Sequence, residues 1–497
     1  MDSLTTASEV SGKSFDYIVI GGGTAGLVVA CRLTEDPSKT VLVLEARGAH
    51  FDDPLIYPQA TVPQKHSEGT TFSWARGKGL GGSSSTNFYL WTRPSKRDVD
   101  ACERLGNPGW NWDNFLKYSK KCETFIPMSE EVTTAERLTY DMEVHGTDGP
   151  IITSFPNLRP GYEVVLQDAF DNLGIPRLAE PTNKRITSVG LTAYLKKAGS
   201  RTNLKIVLNA SVFRILLSLD SDEFVANGVE FLVDGQKHAV LTTLGGEVIL
   251  SAGYPTSTIN SPKILELSGI GDRTILNSLG IETKVDLPAV GTNVQEHMFA
   301  GLAYGAFPAP WIKLKTPEKF NTIDPLWDPA TAKSTSSSST HPTHLNNERS
   351  LLTRSARVVP MEKIEANIPE PDDVPGNAEQ VALMQEGAAN AEFLSIPGFY
   401  SFPSAEVKPG PSAHTDEDLA LWLNKHATTL HHACDSCSML PIDKGGVVDP
   451  ELRVYGTKGL RVLDLSVIPL IPSAHTQSVV YALAEQASDI IKGHSEL

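Results

Sequence analysis

The turn Gly21-Gly22-Gly23-Thr24-Ala25-Gly26 constrains this chain more than any other feature, because of what stands on either side of it. Asp16-Tyr17-Ile18-Val19-Ile20 is a short, β-branched apolar run that ends in glycine, the pattern of a buried parallel strand. Leu27 to Leu33 follows as a run of small and apolar residues, the pattern of a helix packed on a sheet. Gly21, Gly23 and Gly26 therefore fit G-x-G-x-x-G between strand and helix. In that setting Gly21 permits the tight turn, Gly23 lets a pyrophosphate approach the backbone, and Gly26 lets the helix close on the strand. Thr24 and Ala25 lie within this turn, and the N-terminus of the helix that follows favours negative charge. Thr40 to Leu44 reads as a second strand, and Glu45 ends it nineteen positions after Gly26. An acid there accepts both ribose hydroxyls of an adenosine and disfavours a 2′-phosphate. These residues point to a dinucleotide without separating FAD from NAD.

At 497 residues the chain is long enough for two or more domains. Lys and Arg total 43 against 59 Asp and Glu, a formal net charge of −16. That balance argues against nucleic acid and against an anionic membrane surface. No stretch reaches the roughly 20 apolar residues of a membrane span. The five cysteines are scattered and odd in number, so no disulfide framework is implied. Cys434-x-x-Cys437 supplies only half of a zinc ligand set and reads as a packed loop; no metal is expected. The opening residues carry neither an apolar run nor a basic leader, so the expected location is the cytoplasm. The terminal Ser495-Glu496-Leu497 has an acid where the peroxisomal address has a base, which makes that compartment the weaker expectation.

Three further motifs separate the cofactors. Arg76-Gly77-Lys78-Gly79-Leu80-Gly81-Gly82-Ser83-Ser84-Ser85-Thr86-Asn87, continued by Phe88, Tyr89 and Leu90 to Pro94, resembles the first signature of the glucose–methanol–choline (GMC) oxidoreductases. The physical reading agrees: Gly79, Gly81 and Gly82 let amides crowd an anion, and Ser83 adds a hydroxyl. Ser261 to Gly271 is similar to the second signature of that family, and Val290 to His297 to the turn that follows. Gly459 to Ser466 is similar to the strand that returns to the cofactor near the C-terminus. The resemblance implies FAD, held by the Gly21–Gly26 turn, Glu45, the Arg76–Leu90 loop, Val212 at the adenine, Asp464 on the flavin chain, and Thr476 and Gln477 beside the ring.

The fold so implied is α/β: an FAD-binding Rossmann-like domain with a discontinuous α+β substrate-binding domain. Segments 14–95, 203–300 and 440–497 are expected in the first, and 96–202 and 301–439 in the second. The activity implied is oxidation of the CH–OH group of a small-molecule alcohol, by hydride transfer to flavin N5 with a histidine base. His432, before Ala433-Cys434-Asp435, matches the family's histidine loop and is assigned as the base; adjacent His431 takes the role if the register slips by one. His475, in Pro472-Ser473-Ala474-His475-Thr476-Gln477, resembles the aryl-alcohol oxidase branch and is assigned to the substrate oxygen. Oxygen or another acceptor reoxidises the flavin, and the oligomeric state is left open.

Departures from the pattern are equally specific. Asp435 stands where the family usually has glycine, and a carboxylate beside His432 would raise the histidine's pKa. Tyr254 to Ser257 looks inserted, and Leu178 to Arg201 looks shortened. A Ser/Thr run from Thr331 to Thr340 and polar sequence to Arg354 stand where sheet was expected. Two alternatives follow: a degenerate homologue that binds FAD without turnover, and a non-catalytic partner protein. The Gly109-Trp110-Asn111-Trp112 turn is assigned to core packing.

Overall fold

A computed structural model describes residues 2–48, 55–60, 71, 73–135, 137–155, 184–186, 193–253, 259–300, 303–306, 403–408, 413 and 415–494. The elements that frame the site are β1 (Leu4–Thr5), β2 (Ser14–Ile20), α1 (Thr24–Leu33), β3 (Val41–Leu44), β4 (Leu90–Trp91), α2 (Trp112–Cys122), β5 (Glu123–Phe125), β6 (Ile151–Ser154), β7 (Lys184–Ile186), β8 (Leu204–Val207), β9 (Ser211–Asp220), β10 (Glu223–Val233), β11 (Gln236–Leu250), α3 (Asn260–Leu267), β12 (Thr457–Lys458), β13 (Leu460–Val462) and α4 (Thr476–Ile491).

Nine of these strands form one sheet in the order β1-β8-β3-β2-β11-β10-β9, with β12 beside β10 and β13 beside β11. From β1 to β11 every pairing is parallel, while β11, β10 and β9 form an antiparallel meander. Ile18, Val19, Leu42, Val43, Val248 and Ile249 are buried, as continuous apolar strands require when both faces are covered. Each such side chain is worth about 1.5–3 kcal/mol of burial. The predicted strand at Thr40 begins at Val41, and the one expected from Glu247 begins eleven residues earlier, at Gln236.

Register places the site. Ile20 lies opposite both Leu44 and Leu250, and Leu250 lies opposite Val462. The turns after four strands therefore meet at one carboxyl edge, where open α/β sheets bind ligands. Helix α1 leaves that edge directly from β2. A Cβ on Gly26 would stand 2.0 Å from the Gly21 carbonyl oxygen, so only glycine lets helix and strand close. Helix α4 packs against α1 and α2. The Glu485 carboxylate, fully buried on α4, accepts from Arg32 of α1 and from the Tyr194 hydroxyl at 2.7 Å. Tyr481 lies between the rings of Trp91 and Tyr194, at 5.8 and 5.9 Å.

A second, four-stranded sheet, β4-β7-β6-β5, lies beyond the loop that follows Gly82. Trp110 is buried and donates Nε1–H to the Pro450 carbonyl at 2.8 Å, and Trp112 packs against Phe115 with the rings tilted, so these aromatics pack as assigned. The apparent insertion at Tyr254–Ser257 and the polar stretch from Thr331 to Arg354 lie outside the described residues, as does half of Leu178–Arg201. No helix among the described residues is long and apolar enough to cross a membrane.

Candidate active site

The Gly21–Gly26 turn and the Gly79–Asn87 loop sit against each other. Gly81 donates its amide to the Gly22 carbonyl at 2.8 Å, and a Cβ on Gly82, at φ +56°, would stand 3.0 Å from Gly23 Cα. Gly23 is the N-cap of α1 without a side-chain cap bond, and a Cβ there would meet nothing within 4 Å. Thr24 and Ala25 begin the helix beside it. Open space at a helix N-terminus walled by glycines has the form of an anion cradle. Ser83 accepts from the Gly77 amide at 3.3 Å, which leaves its own hydroxyl hydrogen available. Gly79 takes φ +129°, which only glycine adopts freely. Arg76 lies in the strand Ser73–Lys78, opposite Tyr57, and its side chain lies outside the described residues.

Glu45 closes one side of this cradle. Its carboxylate accepts from the Gly22 amide at 2.8 Å and the Arg47 amide at 3.0 Å. Burial raises its pKa to about 7 against the pull of those hydrogen bonds. Val212 is the second residue of β9, next to a register shift, with the Ala210 amide donating to the Glu45 carbonyl. Asp464 closes the opposite side and accepts from the Ser261 hydroxyl at 2.6 Å and the Ser466 amide at 2.9 Å. Burial raises its pKa to about 6. A carboxylate at the end of β3 and another at the end of β13 thus flank the glycine turns.

The loop and the terminal helix are tied together. Asn87 donates Nδ2–H to Gln477 Oε1 at 2.7 Å, the Ser478 hydroxyl donates to the Thr92 carbonyl, and the His475 amide donates to the Thr92 hydroxyl at 2.8 Å. The Gln477 amide nitrogen and the Ser85 hydroxyl are buried with no hydrogen-bond partner among the described residues. Such atoms are costly to leave unsatisfied and mark places where a polar ligand fits. His475 is the N-cap of the sixteen-residue α4, so the positive end of that helix, with Thr476 in its first turn, faces this region. Phe88 is 81% exposed, Tyr89 takes φ +59° and donates its hydroxyl to the Ser85 carbonyl at 3.2 Å, and Leu90 enters β4.

His432 and His475, forty-three residues apart in sequence, come together: His432 Nε2 and His475 Nδ1 are 3.2 Å apart, with the rings perpendicular. Sequence reasoning missed a third imidazole. His297 Nδ1 lies 2.8 Å from His432 Nδ1. Its signal was present, since His297 ends the Val290–His297 motif, but nothing local says that this turn runs beside the histidine loop. It does so by pairing: Gln295 and Cys434 exchange backbone hydrogen bonds at 3.0 and 3.2 Å, Leu430 donates to the His297 carbonyl, and Met298–Phe299 pairs with Thr428–Thr429. Glu296 bridges the two segments, accepting from the His432 amide at 2.6 Å and the Thr429 hydroxyl at 2.7 Å. The alternative base, His431, is exposed and takes φ +64°.

The Asp435 carboxylate is buried and accepts from Asn293 and Gln295. Burial raises its own pKa well above the usual carboxylate range. Its backbone takes φ +67°, which explains why glycine suits this position. Cys434 and Cys437 are both fully buried.

The comparisons with known proteins fit this geometry. The N-terminal GMC oxidoreductase model matches residues 15–299 and the C-terminal one matches 359–484. The GMC oxidoreductase family protein Mala s 12 of Malassezia sympodialis is 30% identical across 98% of this chain and 94% of its own length. Pyranose dehydrogenase 3 of Leucoagaricus meleagris is 30% identical across 97% of this chain and 93% of its own. Among solved structures, an FAD-dependent oxidoreductase from Chaetomium thermophilum superposes with a TM-score of 0.77 at 25% identity, over 97% of this chain and 99% of that one. A fungal aryl-alcohol oxidase has the same fold, with a TM-score of 0.73 at 23% identity over 96% and 99%. These matches run along nearly the whole length, and the chain belongs to the GMC oxidoreductase family.

Proposed function

We propose that this chain is an FAD-dependent oxidoreductase that acts on the CH–OH group of a small-molecule alcohol. The observation that carries the proposal is the convergence of His432 and His475, the latter two residues before the Gln477 that accepts from Asn87 of the second glycine loop. Bound FAD supplies the hydride acceptor, which no side chain provides.

The chain's residues divide the remaining work. Gly21, Gly23 and Gly26, with Thr24 and Ala25, would hold the diphosphate, joined by Gly79, Gly82, Ser83 and Arg76 from the second loop. Glu45 would take the adenosine ribose, Val212 the adenine, and Asp464 the flavin chain. Asn87, Phe88, Tyr89, Leu90, Thr476 and Gln477 would border the ring. His475 would hold the substrate oxygen and His432 would take its proton; a positioned base of this kind is worth about 10²–10⁴-fold in rate. In domain terms, 14–95, 203–300 and 440–497 would bind FAD, and 96–202 with 301–439 would form the substrate side. Oxygen or another acceptor would close the cycle, in a cytoplasmic setting.

The test is anaerobic reduction of the purified flavoprotein by benzyl alcohol, followed at the flavin absorbance. Bleaching supports hydride transfer. A protein that binds FAD and stays oxidised with a panel of primary alcohols would refute the enzymatic reading in favour of a non-catalytic flavoprotein.

A further inference from the structure

The three imidazoles form one chain. His297 Nδ1 meets His432 Nδ1 at 2.8 Å, and His432 Nε2 meets His475 Nδ1 at 3.2 Å. His475 is buried, whereas His432 and His297 are half-buried, so the chain runs outward from the candidate site. At each contact one nitrogen donates and the other accepts. A neutral His432 therefore has two self-consistent states. With its proton on Nδ1, it donates to His297, and its Nε2 accepts from His475 Nδ1. With its proton on Nε2, it donates to His475 Nδ1 and accepts from His297. Only the first state lets a proton that arrives at His475 be passed outward. Which one is populated depends on the nitrogen that His297 presents.

We propose that His297 is the third member of the site: it fixes His432 as the Nδ1–H tautomer and receives the proton that the alcohol gives up. The proposal rests on the functional reading above. As the substrate O–H breaks, an N–H forms at His475 Nε2; the His475 Nδ1–H breaks as an N–H forms at His432 Nε2, and the His432 Nδ1–H breaks as an N–H forms at His297 Nδ1. Bound FAD would take the carbinol hydrogen with its electron pair, the substrate becomes a carbonyl, and one positive charge ends on His297, two imidazoles beyond the one that meets the substrate. Transfer between two imidazoles exchanges like for like, so this step adds little to the barrier. Backbone pairing holds the donor and acceptor in place: Leu430 bonds to the His297 carbonyl, Cys434 pairs with Gln295, and Glu296 holds the His432 amide.

Two variants of the holoprotein separate fixing the tautomer from taking the proton. His297→Asn keeps an amide oxygen able to accept from His432 Nδ1 but cannot take up a proton. His297→Ala does neither. The readouts are flavin content, the rate of anaerobic flavin reduction, and the ¹⁵N shifts of the histidine rings in the oxidised holoprotein. With FAD still bound, the expected ring signals show His432 as Nδ1–H in the wild type and the Asn variant, and as a mixture in the Ala variant. The expected reduction rates are about tenfold below wild type for Asn and about 10²-fold below for Ala, with partial recovery of Ala by added imidazole. A wild-type His432 found as the Nε2–H tautomer would overturn the proposal outright. Reduction of the Asn variant at the wild-type rate would overturn the proton transfer alone. A wild-type flavin that no alcohol reduces would refute the function, and the relay with it, while the ring shifts would still decide the tautomer.

Discussion

Substituting Glu45 with Gln separates the burial of this carboxyl group from its hydrogen bonds. In the cofactor-free protein, burial raises the Glu45 pKa from 4.5 to about 7. A raised carboxyl pKa means that the folded state holds its proton more tightly than the unfolded state. The resulting stability is fully present below about pH 4.5 and is lost as pH rises through about 7. At 1.36 kcal/mol per pH unit, that interval corresponds to about 3 kcal/mol. Asp464, raised from 3.8 to about 6, adds a similar loss over a lower window, so the wild-type curve alone does not isolate Glu45. The difference between wild type and Glu45→Gln does, because the amide that replaces the carboxyl group does not titrate. Urea midpoints of the deflavinated proteins at pH 4.5, 6 and 8 measure it. The wild type should lose about 3 kcal/mol more than the variant over that span. Parallel curves would refute the assignment of a buried, protonated Glu45. The same variant should bind FAD about 10–100-fold more weakly near pH 8, because a charged hydrogen bond of about 1.5–3 kcal/mol is lost.

His432→Asn should retain the flavin spectrum and slow anaerobic reduction about 10²–10⁴-fold, and unchanged reduction would remove His432 from the chemistry. Gly26→Ala puts a Cβ 2.0 Å from the Gly21 carbonyl oxygen, so the protein should be isolated without flavin or insoluble; normal flavin content would contradict the tight closure of α1 on β2. Glu485→Gln leaves Arg32 without its fully buried carboxylate partner and should cost about 3–5 kcal/mol in a denaturant titration, whereas a loss below about 1 kcal/mol would show that the pair is solvated. Asp435→Asn should leave the pH profile of flavin reduction unchanged, since its hydrogen bonds run to Asn293 and Gln295; a shifted profile would restore the expected influence on His432.

The sequence alone determined the parts of this protein whose physics is local. Strand β2, the glycine turn, α1, β3 and Glu45 lie within some thirty residues, and each is dictated by apolar periodicity or by the steric needs of glycine. Resemblance carried the same reading to the second glycine loop and the return strand. It also pointed to His432 and His475, whose meeting the structure then supplied. What the sequence did not determine is how distant segments pair. The turn 293–299 lies beside 428–434 because backbone groups more than a hundred residues apart satisfy one another, and only that register brings His297 to His432. Asp435 illustrates the same limit. Its chemistry suggested a charge beside the base, yet burial and a left-handed backbone turn its carboxylate toward Asn293 and Gln295. Residue type fixes what a group can do; only the long-range packing of the chain decides which groups it faces and whether water reaches it.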